Sequence, residues 1–169
     1  TVTGVVPGNS PYLVTEDIAA AAALGWDLTT ISCPDEDSSG VIETGIATIN
    51  VDAGETVTCT YVNTQRGSIE VVKQVTPVGL NSQAFTFNST NFFLDGVSST
   101  TIDLTPASDA ASATTGPIEV LPGSIYSVLE VEPAGWEMIN AICTGGDDPT
   151  TGIDVAPGEN VVCTFTNSL

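Results

Sequence analysis

One lysine, one glutamate and one asparagine fall where a β-rich chain should bury only apolar residues. Lys73 is the sole lysine of the 169 residues. It lies in Gly67-Ser68-Ile69-Glu70-Val71-Val72-Lys73-Gln74-Val75, which reads as a strand. Alternate residues of a strand face the same way, so Ile69, Val71 and Val75 share the face of Lys73. Glu130 closes the row Tyr126, Val128, Glu130, and Asn167 closes the row Val161, Cys163, Phe165, Asn167. An amine, a carboxyl and a carboxamide thus fall on expected core faces. Burying an unpaired ammonium is costly, or lowers its pKa until the group is neutral. Lys73 therefore needs a reason to be there, and Glu130 and Asn167 are the candidates. The plainer alternative is an edge-strand lysine that discourages aggregation.

The elements that must position these groups occur twice. Val6-Pro7-Gly8 and Tyr12-Leu13-Val14-Thr15-Glu16 recur as Leu121-Pro122-Gly123 and Tyr126-Ser127-Val128-Leu129-Glu130. Gly25-Trp26 recurs as Gly135-Trp136, and Cys33 as Cys143. The run from Val51 to Asn63, with Gly54-Glu55 and Cys59-Thr60-Tyr61, recurs from Val155 to Asn167. Order and spacing agree, so this is an internal repeat. It is unequal. The second copy is a full domain, 66–169, while 1–65 holds only the later half, with nothing to match Lys73, Phe85-Thr86-Phe87 or Phe92-Phe93-Leu94. Half a sandwich exposes a core face and open strand edges. Residues 1–65 are therefore expected to be completed by a preceding segment or by another subunit through β-augmentation.

Composition narrows the function classes. The formal charge is −19, from 21 acids against 2 bases. Phosphate binding needs Lys and Arg, so nucleic acid is not an expected partner, nor is an anionic membrane surface. No apolar run approaches the ~20 residues of a membrane helix, so no membrane insertion is expected. Histidine is absent, which removes the commonest general base and transition-metal ligand together. No Ser-His-Asp set, Cys-His pair or glycine-rich phosphate loop exists, so the chain does not read as an enzyme. The acidic turns Pro34-Asp35-Glu36-Asp37 and Gly145-Gly146-Asp147-Asp148 suggest Ca²⁺ at most. Neither has the spaced ligands of a calcium loop, and no cofactor is expected. The start at Thr1, without an initiator Met, suggests a processed product.

The expected architecture is all-β. In the first copy, strands are expected at 1–6, 11–16, 25–33, 41–51 and 56–63, with a helical turn within 17–24. In the second they are expected at 68–76, 83–88, 91–95, 99–104, 117–121, 125–132, 135–143, 150–155 and 159–167, with a surface loop over 105–116. Short strands at this spacing, separated by turns, indicate an antiparallel β-sandwich. Trp26 and Trp136 are expected to be equivalent core anchors.

With Lys73 on the first strand, Tyr126-x-Val128-x-Glu130 followed by Pro133-x-Gly135-Trp136, and a closing Phe165-Thr166-Asn167, the chain resembles a known family. It is similar to the B-type domains of Gram-positive collagen adhesins and related pilins, which have a prealbumin/Ig-like sandwich. The resemblance covers 67–169 fully, and its later half recurs in 1–65. It implies a spontaneous isopeptide bond, with Lys73 the nucleophile, Asn167 the electrophile and Glu130 the assisting acid. A neutral buried amine is nucleophilic, and a protonated Glu130 would polarise the carboxamide. The first copy has Glu16 and Asn63 but no lysine. No Leu-Pro-x-Thr-Gly motif occurs in these residues.

The four cysteines sit at matching places in the two copies, so the expected pairs are Cys33–Cys59 and Cys143–Cys163. Each should contribute about 3 kcal/mol, mainly by restricting the unfolded chain, and disulfides point to an extracellular setting. The function expected is structural: a cell-surface stalk, or a pilus-like filament that polymerises with copies of itself by strand complementation of 1–65. An adhesin fragment gripping a matrix protein or glycan is the alternative.

Overall fold

The computed structural model describes residues 3–8, 11–76, 83–92, 99–107 and 112–169. The chain divides into two compact units, Thr1–Gln65 and Arg66–Leu169.

The first unit contains β1 (Tyr12–Thr15), α1 (Ile18–Ala22), β2 (Trp26–Ser32), β3 (Ser39–Val41), a 3-10 turn (Ile42–Thr44), β4 (Ile46–Ile49) and β5 (Thr60–Gln65). One sheet has the order β1-β4-β3, and the other pairs β2 with β5. The short helix begins where Asp17 Oδ1 accepts the Ala20 N–H at 3.0 Å, satisfying a donor that a helix start leaves open. Three expectations need correcting. The span 41–51 is broken by the 3-10 turn, with Gly45 in the left-handed region (φ 67°) closing it. Residues 3–6 and 56–59 are not strand; residues 1–2 lie outside the described residues.

The second unit contains β6 (Gly67–Thr76), β7 (Phe85–Thr90), β8 (Ser99–Leu104), β9 (Ser112–Thr114), β10 (Ile118–Val120), β11 (Gly123–Val131), β12 (Glu137–Cys143), β13 (Ile153–Val155) and β14 (Asn160–Ser168). One sheet runs β10-β6-β14-β12 with β9 also on β6, and the other runs β13-β11-β7-β8. β9 lies inside the stretch expected to be a loop. The expected strand over 91–95 is absent at Asn91 and Phe92, and 93–95 fall outside the described residues.

Burial follows the period of two. In β6 the inward row is Ile69, Val71, Lys73 and Val75; in β14 it is Val161, Cys163, Phe165 and Asn167. These rows meet Phe85, Phe87 and Val128 of the opposite sheet in one core. Phe87 meets Phe165 edge-on at 5.0 Å, and Trp136 meets Phe85 at 5.3 Å. Among the described residues of the unit, pairing is antiparallel with one exception: β6 and β14, its first and last strands, run parallel, Lys73 opposite Phe165 and Asn167 opposite Val75.

The two units repeat one another in detail. The β2–β5 ladder has its irregularity between Leu28 and Thr30, with Leu28 opposite Asn63. The β12–β14 ladder has it between Met138 and Asn140, with Met138 opposite Asn167. The Tyr12 hydroxyl donates to the Val6 carbonyl at 2.9 Å, as that of Tyr126 donates to Leu121 at 2.5 Å. Glu55 Oε2 accepts the Asp52 N–H and Glu159 Oε2 the Ala156 N–H, both at 2.8 Å. Disulfides join Cys33 to Cys59 (2.08 Å) and Cys143 to Cys163 (2.04 Å).

Candidate functional site

The site arises from the parallel pairing of β6 and β14. Adjacent strands in register bring residues two positions apart on one face within reach of long side chains. Lys73 and Asn167 stand in that diagonal relation, both facing the core and both fully buried. Glu130 comes from the facing sheet, on β11 opposite Phe87 of β7. Its side chain is also wholly shielded from water. The sandwich therefore closes an amine, a carboxamide and a carboxyl group into one water-free cluster.

The contacts form a closed triangle. Lys73 Nζ donates to Asn167 Oδ1 and, at 3.4 Å, to the Phe165 carbonyl. Asn167 Nδ2 donates to Glu130 Oε1 at 2.6 Å. Glu130 Oε2 lies 3.2 Å from Lys73 Nζ and accepts no other hydrogen bond. The amine also sits 4.2 Å from the centroid of the Phe85 ring. Burial pushes the Lys73 pKa below its ordinary 10.5, while the nearby Glu130 charge and hydrogen bond pull it back up. The net direction is downward, toward a neutral amine with a free lone pair.

Chemically, this cluster can make an amide. The amine bonds to the carbonyl oxygen of the group it would attack. One oxygen of Glu130 touches the nucleophilic nitrogen, and the other touches the nitrogen that would leave. A carboxyl group so placed can take a proton from one and give a proton to the other. Lys73 is no edge lysine: β6 is flanked by β14 on one side and by β9 and β10 on the other.

The apolar walls were less legible. Phe85 covers the amine, yet nothing in its sequence row distinguishes it from Phe87. Trp26 and Trp136 differ in setting: Trp136 packs on the core against Phe85, whereas Trp26 is 40% exposed, with no counterpart of Phe85 among the described residues of the first unit. The acidic turns hold themselves together. Asp148 Oδ1 accepts the Thr150 N–H at 2.8 Å and its hydroxyl at 2.7 Å, which lowers its pKa. Asp147 accepts the Asp154 N–H at 2.9 Å. Among the described residues no three potential ligating side chains cluster as a metal site, and no helix is long and apolar enough to cross a membrane.

Comparison with known proteins agrees with the fold. No curated protein shows significant similarity to the chain. Among solved structures it is similar to the Bacillus anthracis TIE protein, at 23% identity and a TM-score of 0.38 over 77% of this chain. It spans 22% of that protein's chain. A family described as prealbumin-like fold domain matches residues 1–65 and again 69–169. With the family matching both halves of an internally repeated β-sandwich chain, this protein belongs to the prealbumin-like fold domains.

Proposed function

We propose that the chain is an extracellular structural protein, a subunit of a surface fibre or pilus-like filament, whose second unit is strapped by a Lys73–Asn167 isopeptide bond. The observation that carries this reading is the buried triangle between the first and last strands. Lys73 Nζ attacks Asn167 Cγ, a proton passes from Nζ to Glu130 Oε2, and Glu130 Oε1 supplies a proton to Nδ2. The C–N bond to Nδ2 breaks, ammonia leaves, and Glu130 ends as it began. The only turnover is this one. The product amide joins the strands on which a pull at the two ends of the unit would act, so tension meets a covalent bond before the hydrogen-bond ladder. Two disulfides suit an oxidising exterior, and the open first unit suits assembly by strand complementation between subunits.

Intact mass under denaturing, non-reducing conditions tests it. The expected chain is lighter by one ammonia beyond the loss from two disulfides, with the Lys73 and Asn167 peptides joined. A chain that retains its ammonia would remove the strap from the reading.

A further inference from the structure

The first unit repeats the acceptor side of the same site, and residues 1–65 contain no lysine. Asn63 stands opposite Leu28 as Asn167 stands opposite Met138. Its Oδ1 is buried and accepts no hydrogen bond, whereas Asn167 Oδ1 accepts one from Lys73. An orphaned buried carbonyl is costly, so something that donates belongs there. Glu16 follows β1 at the place of Glu130 in β11.

The surroundings show what shape the donor has. In the second unit β14 is strand from Asn160 because β6 pairs with it from Ser68 onward. In the first unit β5 begins only at Thr60, and the matching residues 56–59 are not strand. Among the described residues β5 pairs with β2 alone. A cavity of about 850 Å³ lies against the residues that lead into β5, lined by Val5, Tyr12, Val14, Val51, Val57 and Cys59. The counterparts of Tyr12, Val14, Val51, Val57 and Cys59, namely Tyr126, Val128, Val155, Val161 and Cys163, are buried in the core that holds Ile69 and Val71 of β6. Val14 is 43% exposed while Val128 is fully buried. Through the repeat, this space corresponds to the place where Ile69 and Val71 of β6 pack in the second unit.

We propose that Asn63 is a second isopeptide acceptor, and that its partner is an extended strand from outside these 169 residues, bearing one lysine in an apolar row. The inference rests on the structural reading above. The β6–β14 register fixes the docking: parallel to β5, apolar residues opposite Val57, Cys59 and Asn63, and the lysine opposite Tyr61. The lysine amine replaces Nδ2 on Asn63 Cγ, ammonia departs, and Glu16 carries the proton between them. Lys73 of a second copy is not that lysine, because it is enclosed with its own Asn167.

The probe is a synthetic peptide with the sequence of Gly67–Thr76, incubated with the full oxidised chain. The expected product is a one-to-one adduct lighter than the sum by one ammonia, mapped to Asn63. It should be lost with Asn63→Ala, and slowed at least tenfold with Glu16→Gln. It should also be lost when Lys73 and Gln74 are exchanged within the peptide, which turns the amine to the other face. Protection of the 56–63 amides from exchange should accompany it. Chains whose Lys73–Asn167 bond is present but which give no Asn63 adduct overturn this inference and leave the first reading standing. Chains lacking both bonds overturn both. Docking without a bond, or a covalent dimer through Lys73 of a second copy, also overturns it.

Discussion

Replacing Lys73 with Met tests the strap most directly. Methionine keeps a long, unbranched apolar side chain in the core and removes the nucleophile. The amide joins residues 94 apart, and the Cys143–Cys163 bridge already short-circuits 20 of these, leaving about 74 in the closed loop. Closing such a loop in the unfolded chain is worth about 4.5 kcal/mol on the chain-entropy model. Lys73→Met should therefore lower the Tm of the second unit by roughly 18–36 °C, at ~4–8 °C per kcal/mol for a unit of this size.

The mechanical consequence is sharper, because it is a length. With the strap, pulling the chain by its ends can peel only the few residues outside 73 and 167. Without it the same unit should release about 74 residues, roughly 250 Å at ~3.4 Å each. Single-molecule extension of the parent and of Lys73→Met, both oxidised, should differ by one step of that length. The first unit, unchanged in both, serves as the internal reference. A step of that size in the parent would refute the strap, and so would an equal Tm in the two proteins.

Other consequences follow from the same geometry. Glu130→Gln leaves amine and carboxamide in place but removes the proton carrier, so freshly folded chains should keep their ammonia for at least tenfold longer by mass. Asn167→Ala leaves Lys73 buried and unreacted. Its folded pKa lies below 10.5, so the unfolded state binds more protons between the two values. Stability of this variant in urea should accordingly rise with pH through that window and fall back below it. The parent, whose nitrogen is an amide on the proposed function, should show no such slope. Gly67→Ala should cost about 1–3 kcal/mol, because overfilling a packed site strains it. The added Cβ would lie 2.3 Å from Val155 Cγ1 and 2.9 Å from the Glu159 carbonyl oxygen, and the backbone cannot yield as a side chain does.

Much of this was written in alternation and repetition. Period-two patterning placed Lys73 and Asn167 inward because a strand's face is a matter of parity, and the repeat aligned the cysteines that the structure shows bonded. What parity cannot give is a partner. It says that Lys73 faces the core, not that β6 lies beside β14 or runs parallel to it, since that pairing depends on contacts 92 and 94 residues apart. Nor could it separate Phe85, which covers the amine, from Phe87, which meets Phe165. The strand expected over 56–63 misread its first half for an instructive reason. The residues have strand character, but the ladder that makes Asn160–Cys163 a strand is supplied by β6, and among the described residues of the first unit no strand takes that place. Local sequence sets a propensity, and the neighbour decides whether it is realised.

The cluster also explains why three polar groups are tolerated in a core that could hold apolar ones. A buried ion pair is weak support for stability, since its desolvation cost rivals its attraction and hydrophobic replacements often do as well. If Lys73, Glu130 and Asn167 served stability only as side chains, Leu or Met would serve as well without the burden of a charge. On the function proposed above, their worth lies in reacting. Once the amide forms, the titratable amine is gone, and a cost borne by the unreacted fold becomes a bond between its first and last strands. The same argument sets the order of events: burial lowers the amine pKa only after the two sheets have closed. The bond must therefore follow folding, and it cannot link an unfolded chain in the wrong register. Chains held in denaturant should never lose ammonia, whereas chains diluted out of it should lose one at a rate no faster than the return of native near-ultraviolet dichroism. Ammonia loss that precedes this signal would place the chemistry ahead of the fold and undo the reasoning.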